Sequence, residues 1–356
     1  MKTLQVMLAE RSYDILIQTG ILKVCGEYIK KVCKPEKILV VTDTTVESLY
    51  KETILAALSK ENWEVKVVSF SPGEGSKTLD SVSVLYREAF SFGMTRTDLV
   101  VALGGGVIGD LTGFFAATLF RGVSFVQIPT TLLAQVDSSV GGKTGVNVPE
   151  GKNLVGSFYQ PKLVLIDPDT LKTLPDRDFY DGMAEVIKYG CICKKDLFEQ
   201  LSLCRGRDEL TDDLTEILYH CCDAKRKLVE EDELDTGSRM LLNFGHTMGH
   251  VIEKTFGFEG YTHGQGVAIG MMLAAKFGEM NGMTVGGTTE RIEKILKQYQ
   301  LPTKVDLPDQ WEDTLLLDKK MQHGRINFIM LKNIGTAVVQ SMETNELILA
   351  MKKIMK

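Results

Sequence analysis

Three shortages in the sequence exclude whole classes of protein. The formal charge is −6, from 41 basic and 47 acidic residues, and this negative balance argues against general nucleic-acid binding. No apolar run approaches the ~20 residues of a membrane-spanning helix, so we expect no membrane partner. The first five residues, MKTLQ, lack the apolar core of a signal peptide.

The cysteines are few, and their spacing matches no zinc-finger motif. There are seven, an odd count, and they are scattered along the chain. Cys191 and Cys193 stand two apart and Cys221 and Cys222 are adjacent, so neither pair has zinc-finger spacing. This usage predicts reduced, mostly buried thiols in a cytoplasmic protein.

The length and composition are those of a globular protein. Hydrophobic residues make up 44% of the chain and charged residues 25%, both ordinary for a soluble domain. At 356 residues the chain exceeds the usual size of one domain, which predicts two.

The first half alternates short apolar runs with helical stretches. Near-continuous apolar strands between helices indicate a parallel sheet covered on both faces. We therefore predict a Rossmann-like α/β domain over residues 1–176, with ligands at the carboxyl ends of its strands. The predicted strands are residues 37–42, 65–70, 99–103, 124–128 and 163–166.

The pattern changes near residue 176. Strand-like runs almost vanish, and long amphipathic stretches such as 208–230 and 239–256 follow. One late hairpin is predicted from residues 326–331 and 336–340. This half is predicted to be a mostly α-helical domain over residues 177–356.

A glycine run follows the third predicted strand and opens a helix. Residues 104–110 read GGGVIGD. Glycines let a phosphate approach the backbone, and a helix N-terminus favours negative charge. The run differs from the GxGxxG fingerprint but has the same context, so it predicts a nucleotide site; the alternative is a tight turn without a ligand.

Two further features of the first half suit a dinucleotide. Residues 72–77 (PGEGSK) follow a strand, and this loop suits the sugar or adenine end of a dinucleotide, although similar sequences occur in many surface turns. Asp43 lies at the end of the first clear strand. Its carboxylate is a candidate acceptor for ribose hydroxyls, and the alternative is that it caps a turn.

Residues 137–144 (DSSVGGKT) superficially resemble a phosphate-binding loop. The Walker pattern requires glycine where Asp137 stands, and no strand leads directly into the segment. These features exclude an NTPase reading, although Lys143 remains a candidate anion ligand.

Acid and base residues of the second half suggest one metal site. Three of the five histidines, His246, His250 and His263, occur close together, and Glu185 lies upstream. His246 and His250 are four apart and share a helix face. Two imidazoles and a carboxylate form a catalytic zinc set with one open position. Lys188 follows Glu185 by one helical step.

Polar residues upstream of the histidines extend this face. Arg239 and Asn243 lie at helical spacing from His246, and both side chains donate to phosphate or carboxylate oxygens. Such a face is not an apolar core face. Lys225, within a run of three basic residues, is by itself more simply a solvated side chain.

These motifs together resemble the 3-dehydroquinate synthase family over nearly the whole chain. The most specific segments are residues 104–110, 129–147, 182–188 and 241–250, in that order and spacing. The resemblance implies a dinucleotide-binding N-terminal domain, a helical C-terminal domain and a homodimer. It implies NAD as cofactor and a divalent metal, zinc or cobalt, on Glu185, His246 and His263.

The resemblance also implies the other site residues. The substrate would be a sugar phosphate, 3-deoxy-D-arabino-heptulosonate 7-phosphate. NAD would be held by Asp43, Glu74, Gly75, Ser76, Lys77, Gly105, Gly106, Val107, Ile108, Gly109, Asp110, Thr130, Thr131, Lys143, Lys152, Thr170, Leu171, Lys172 and Thr173. Catalysis would use His250, Lys188, Asp137, Lys143, Asp235 and Asn243. Substrate would be bound by Arg121, Lys152, Asn153, Lys225, Arg239 and one of Lys319 and Lys320.

The reaction of the family requires the chemistry that these residue types provide. A secondary alcohol is oxidised transiently by NAD, phosphate is eliminated, the hydride returns, and an intramolecular aldol step closes the ring. Lys143, Lys152, Asn153 and Arg239 would balance the substrate's phosphate and carboxylate. His250 is the best acid-base candidate because the pKa of histidine lies near working pH. The substrate phosphate is the alternative base.

Three positions depart from the usual family pattern. Thr45 stands where asparagine is common, which changes one expected cofactor hydrogen bond. Asp235 replaces a common glutamate and has a shorter reach for proton handling. Gln265 replaces a common glutamate two residues after His263, and we expect weaker orientation of the metal ligands there.

Three other functions fit parts of the pattern. Other sugar-phosphate cyclases, which make an inosose or a valiolone, share the metal triad and usually differ around residues 137–147. A metal-dependent polyol dehydrogenase would release NADH stoichiometrically. A catalytically dead NAD-binding module would not be expected to keep Glu185, His246, His263, Lys143 and Lys188 together.

Overall fold

The computed structural model describes residues 1–257, 260–319 and 324–355, without the side chains of 317–319. They form two compact units. The first unit comprises Met1–Pro175 and Leu214–Leu234, and the second comprises Asp176–Asp213 and Asp235–Lys356. The sequence pattern places Leu214–Leu234 in the second domain. In the structure this segment packs with the first unit, because its helix lies against the first strand.

A seven-stranded sheet forms the centre of the first unit. The strands are β1 (Lys2–Val6), β2 (Tyr13–Ile17), β3 (Lys37–Asp43), β4 (Glu64–Phe70), β5 (Leu99–Gly104), β6 (Ser124–Pro129) and β9 (Leu163–Ile166). Their order in the sheet is β1-β2-β9-β6-β5-β3-β4, and every neighbouring pair is parallel except β1 and β2. The direction of the strand order reverses between β3 and β5, and doubly wound sheets bind ligands at such a switch point.

The five predicted strands are confirmed as β3, β4, β5, β6 and β9. Two strands, β1 and β2, are not among the predicted ones, and β1 gives the sheet an antiparallel edge. The burial of β1 alternates between core and solvent, so it lacks the continuous apolar run that marks the central strands.

Both faces of the sheet are covered by helices. On β3, Ile38 and Val40 face one core while Leu39 and Val41 face the other, and all four are fully buried. The first core includes residues of α1 (Cys25–Val32) and α2 (Thr44–Ser59). The second includes residues of α3 (Leu79–Ser91) and α4 (Gly106–Thr118). This two-sided burial confirms the predicted α/β layering.

A two-stranded antiparallel hairpin, β7 (Lys143–Val148) and β8 (Gly151–Phe158), completes the first unit. It begins directly after the GG of residues 141–142. A strand therefore leaves the DSSVGGKT segment, where a Walker loop requires a helix. The rejection of the NTPase reading is confirmed.

The second unit is mainly helical, as predicted. The predicted hairpin is confirmed as β10 (Arg325–Asn333) and β11 (Thr336–Glu343). No helix among the described residues is long and apolar enough to span a membrane. The remaining helices, with α8 in the first unit, are α5 (Asp176–Ile192), α6 (Lys195–Leu203), α7 (Arg207–Leu210), α8 (Leu214–Glu231), α9 (His246–Thr255), α10 (His263–Met280), α11 (Thr288–Gln298), α12 (Glu312–Lys319) and α13 (Thr344–Met355).

The two amphipathic stretches, 208–230 and 239–256, are each interrupted in the structure. The first is divided into α7 and α8. In the second, a short 3-10 helix, Ser238–Asn243, precedes α9, and Gly245 between them has a φ of +82°. A Cβ at Gly245 would lie 2.6 Å from the Val267 carbonyl oxygen, so a glycine break is required here.

Candidate functional site

Three helices of the second unit bring the predicted metal ligands together. Glu185 lies in the middle of α5, and His246 and His263 are the first residues of α9 and α10. The Nε2 atoms of His246 and His263 lie 3.5 and 3.7 Å from Oε1 of Glu185. One ligand atom from each residue lies within 4.8 Å of the others.

This cluster fits a divalent metal. Two imidazole nitrogens and a carboxylate oxygen are the ligands of catalytic zinc sites. The Glu185 side chain is completely buried, and Lys188 forms an ion pair with it. Burying a carboxylate is costly unless cations surround it, and a bound metal would satisfy that need.

The two histidines of the cluster differ in their proton affinity. Burial, reinforced by the positive charge of Lys188, lowers the pKa of His246 to about 3. For His263, burial also lowers the pKa, but hydrogen bonds to Glu185 and Glu253 outweigh burial and raise it to about 10. His246 is therefore a neutral ligand, whereas a metal would displace a proton from His263.

The outer nitrogens of both histidines have acceptors. Nδ1 of His263 lies 2.9 Å from Oε1 of Glu253, and Nδ1 of His246 lies 3.3 Å from the Phe244 carbonyl oxygen. The sequence analysis missed Glu253. Its signal was available, since Glu253 stands seven residues after His246 on the same helix face, within an otherwise apolar buried stretch.

Two glycines allow the three helices to approach each other. A Cβ at Gly264 would lie 2.0 Å from the carbonyl oxygen of Asp181 on α5. A Cβ at Gly270 on α10 would lie 1.8 Å from the carbonyl oxygen of Gly245, next to the start of α9. Larger residues would push the backbones apart and separate the three ligands.

The other predicted site residues of this unit differ in their burial and in their distance from the metal cluster. The exposed His250 ring lies 5.6 Å from that of His246 and 6.5 Å from that of His263. Lys188 and Arg239 are buried, whereas Asn243 is exposed. Asp235 has a φ of +58°, in the left-handed region. Because of the break at Gly245, Arg239 and Asn243 lie outside helix α9.

Gln265 has a local role that differs from the expected one. Its Oε1 accepts a hydrogen bond of 3.1 Å from the backbone N–H of Thr262. This contact belongs to the first turn of α10. The carboxylate that contacts Nδ1 of His263 belongs to Glu253, and the expectation that Gln265 weakens ligand orientation stays a prediction.

In the first unit, the glycine run lies at the switch point of the sheet. β5 ends at Gly104, Gly105 precedes α4, and the helix begins at Gly106. No described side chain caps this helix start. A Cβ at Gly105 would lie 3.0 Å from Thr131 Cγ2, and one at Gly106 would lie 2.9 Å from Ser138 Oγ. Glycines 105 and 106 therefore pack tightly against these two side chains and leave no room for a Cβ.

Several predicted cofactor residues lie at neighbouring strand ends. Thr130 and Thr131 follow β6, and the Thr130 N–H donates to the Gly104 carbonyl at 3.0 Å. The segment with Thr170, Leu171, Lys172 and Thr173 forms a 3-10 helix after β9. Parallel strands bring these segments to one sheet edge. The rest of the predicted run, Val107, Ile108 and Gly109, lies in the first turn of α4.

Asp43 acts as a helix cap. Its carboxylate accepts hydrogen bonds from the backbone N–H groups of Thr45 and Val46, at 2.9 and 3.0 Å. The turn-cap reading is thus confirmed. The contact uses only the backbone of Thr45.

The loop over residues 72–77 is tied to the glycine helix and to the hairpin. Lys77 forms an ion pair of 2.5 Å with Asp110 on α4. Burial raises the pKa of Asp110, while Lys77 opposes that shift. Glu74 accepts a 2.8 Å hydrogen bond from the side chain of Asn147, and Gly75 and Ser76 complete the short 3-10 helix.

Lys225 is buried, which contradicts the solvated reading that its own sequence context favoured. Its ammonium donates to the Asp137 carbonyl at 2.7 Å and lies 3.0 Å from the Asp137 carboxylate. Helix α8 belongs to the first unit and thus brings Lys225 to the DSSVGGKT segment.

The remaining predicted anion ligands are spread over the first unit and one helix end. Lys143 starts β7, and Lys152 and Asn153 lie in β8, where Asn153 has a φ of +57°. Arg121 is exposed and has a φ of +66°. Lys319 ends α12, and Lys320 lies outside the described residues.

Two family models match most of the chain. The model for the N-terminal part of 3-dehydroquinate synthase matches residues 67–181, and the model for its C-terminal part matches residues 182–321. The 3-dehydroquinate synthase of Clostridium perfringens (strain SM101 / Type A) is 51% identical over 341 residues. That match covers 95% of this chain and 97% of the relative.

Two solved structures share the fold over nearly the full length. A 2-deoxy-scyllo-inosose synthase, in complex with carbaglucose-6-phosphate, NAD+ and Co2+, has a TM-score of 0.89 at 27% identity, covering 99% of each chain. The 2-epi-5-epi-valiolone synthase of Streptomyces hygroscopicus subsp. jinggangensis 5008, with NAD+ and Zn2+, has a TM-score of 0.85 at 27% identity, covering 98% of each chain.

Proposed function

This chain belongs to the 3-dehydroquinate synthase family, and we propose how its residues carry out that family's reaction. The substrate is a sugar phosphate, 3-deoxy-D-arabino-heptulosonate 7-phosphate, and the products are 3-dehydroquinate and inorganic phosphate. The observation that carries the proposal is the cluster of Glu185, His246 and His263, in a chain 51% identical to a synthase of this name.

The metal cluster and the strand-end loops would hold the two cofactors. A zinc or cobalt ion on Glu185, His246 and His263 would polarise a substrate hydroxyl or carbonyl as a Lewis acid. NAD at the ends of β3, β5, β6 and β9 would accept a hydride and return it in the same turnover. The Co2+, Zn2+ and NAD+ bound by the two structural relatives support both assignments.

The side chains have distinct proposed tasks. His250 is exposed and close to the two ligand histidines, and it is the group proposed to move a proton to or from the substrate. Arg239, Lys143 and Lys152 are the side chains proposed to bind the substrate's anionic groups. Lys225 holds Asp137 in place through the contacts described above.

The identities of the relatives favour this reaction over that of the other cyclases. The inosose and valiolone synthases are 27% identical to this chain, roughly half the identity of the Clostridium synthase. The structural relatives named as dehydrogenases are 16% identical or less and share the fold only. We further propose a cytoplasmic homodimer whose two domains divide near residue 176, with Leu214–Leu234 belonging to the first.

The test is to identify the product made by the purified protein. With catalytic NAD and a divalent metal, we expect 3-deoxy-D-arabino-heptulosonate 7-phosphate to yield phosphate and 3-dehydroquinate. A hexose 6-phosphate, assayed in parallel, should yield no phosphate. Turnover of the hexose phosphate instead of the heptulosonate would assign the chain to another cyclase activity.

A further inference from the structure

We propose that Glu253 is a positioning residue that fixes the orientation and tautomer of His263 in the metal site. The inference rests on the proposed function, because it assumes that Glu185, His246 and His263 hold a metal. Nδ1 of His263 lies 2.9 Å from Oε1 of Glu253. The opposite ring nitrogen, Nε2, lies 3.7 Å from the Glu185 carboxylate.

These two contacts leave one productive tautomer. With the proton on Nδ1, His263 donates to Glu253, and Nε2 presents its lone pair towards Glu185 and the metal position. The opposite tautomer would put lone pairs of Nδ1 and of the Glu253 carboxylate against each other. Carboxylates that accept from the outer nitrogen of a ligand histidine orient the ring and raise its basicity.

The burial of Glu253 supports the same role. Its side chain is 7% exposed, and it follows Val251 and Ile252, which are buried in the same helix. A glutamate among apolar residues is costly to bury unless a polar contact compensates it. Glu253 lies in the last turn of α9, where a carboxylate opposes the helix dipole, so it does not stabilise that helix end.

Glu253 and Gln265 thus have separate tasks around His263. Gln265 binds the Thr262 N–H at the start of α10, whereas Glu253 contacts the imidazole. Among the described residues, the acceptor for Nδ1 of His246 is the Phe244 carbonyl oxygen, at 3.3 Å. In the described part of the chain, the charged outer contact therefore belongs to His263, and the outer contact of His246 is a neutral carbonyl.

The experiment compares Glu253→Gln with Glu279→Gln. Glu279 lies on α10 and accepts from the Thr289 N–H at 2.8 Å, so its replacement removes the same charge outside the metal cluster. Cobalt is titrated into each metal-free full-length protein, and affinity is measured by competition with a chelator. We expect Glu253→Gln to weaken binding by roughly 10- to 100-fold and to shift the visible Co2+ absorption, with Glu279→Gln like the wild type.

The outcomes separate this inference from the proposed function. Equal affinity and an identical Co2+ spectrum for Glu253→Gln and wild type would overturn the role of Glu253 and leave the metal site intact. A wild-type protein that binds no cobalt would instead overturn the metal assignment.

A second measurement needs no substitution and applies even if Glu253→Gln does not fold. In the zinc-loaded wild type, nitrogen NMR of labelled histidine should show His263 with a proton on Nδ1 and zinc on Nε2. The reverse pattern would contradict the proposal.

Discussion

The two units prepare their candidate sites in different ways. In the first unit, charged side chains largely hold one another: Lys77 pairs with Asp110, and Lys225 pairs with Asp137. The phosphate-binding surface proposed there is the backbone of a glycine loop. In the second unit, three side chains converge on one point, and glycines only bring their helices together. Backbone sites depend on close packing, whereas the metal site depends on particular side chains.

The largest effect should come from removing one of the converging side chains. His263→Ala should lower the rate of phosphate release by about a thousandfold or more, because Lewis-acid stabilisation is worth several kcal/mol. Metal content and phosphate release are measured together on folded protein. His220→Ala on α8 is the matched control, since it removes an imidazole outside the cluster. Full activity in His263→Ala would refute the metal assignment.

The next effect concerns the packing that brings the ligand helices together. Gly270→Ala should lower the free energy of unfolding by roughly 1–3 kcal/mol, because the new Cβ would meet the Gly245 carbonyl oxygen. Urea unfolding measures the change. Gly286→Ala is the control, since a Cβ there would have nothing within 4 Å. Equal stability of the two variants would mean that the helix contact tolerates a methyl group.

A smaller and more selective effect is expected in the glycine loop. Gly105→Ala would place a methyl group 3.0 Å from Thr131 Cγ2, on the backbone proposed to face a phosphate. We expect NAD to bind about tenfold more weakly, at the low end of the usual cost of overpacking. Calorimetric titrations with NAD and with cobalt measure both sites. A loss of cobalt binding as large as that of NAD would contradict the division of tasks between the units.

The smallest effect is expected at Gln265. In Gln265→Glu, either side chain can accept the Thr262 N–H, as capping boxes allow. Stability should change by less than about 0.5 kcal/mol, and cobalt affinity should stay the same. A marked gain in cobalt affinity would show that a carboxylate at this position reaches the metal ligands after all.

Much of this arrangement could be predicted because it rests on strong local patterns. The central strands are continuous apolar runs. β3 is buried on both faces, and its uninterrupted apolar sequence predicts such a strand. The metal cluster was predictable because histidine is scarce in this chain and three of the five occur close together. The glycine run was recognisable from its position between a strand and a helix.

The features that were missed depend on contacts distant in sequence. The hairpin of β7 and β8 consists of mixed small and polar residues, so its strands carry little periodic signal. The break at Gly245 reflects a close approach by α10, which no local pattern shows. From sequence alone, Lys225 is predicted to be one of three solvated basic residues. It is buried because α8 packs in the first unit. Glu253 carries a local signal as a glutamate in an apolar stretch, but its contact with His263 depends on the packing of α10 beside α9.

The most direct test of the account follows phosphate and NADH in one reaction. The metal-loaded protein, with less NAD than substrate, is mixed with 3-deoxy-D-arabino-heptulosonate 7-phosphate, and a parallel sample contains a chelator. The account predicts many phosphates released per NAD, no accumulation of NADH, and loss of both release and turnover with the chelator. NADH that accumulates in step with substrate consumption, or release that is unaffected by the chelator, would contradict it.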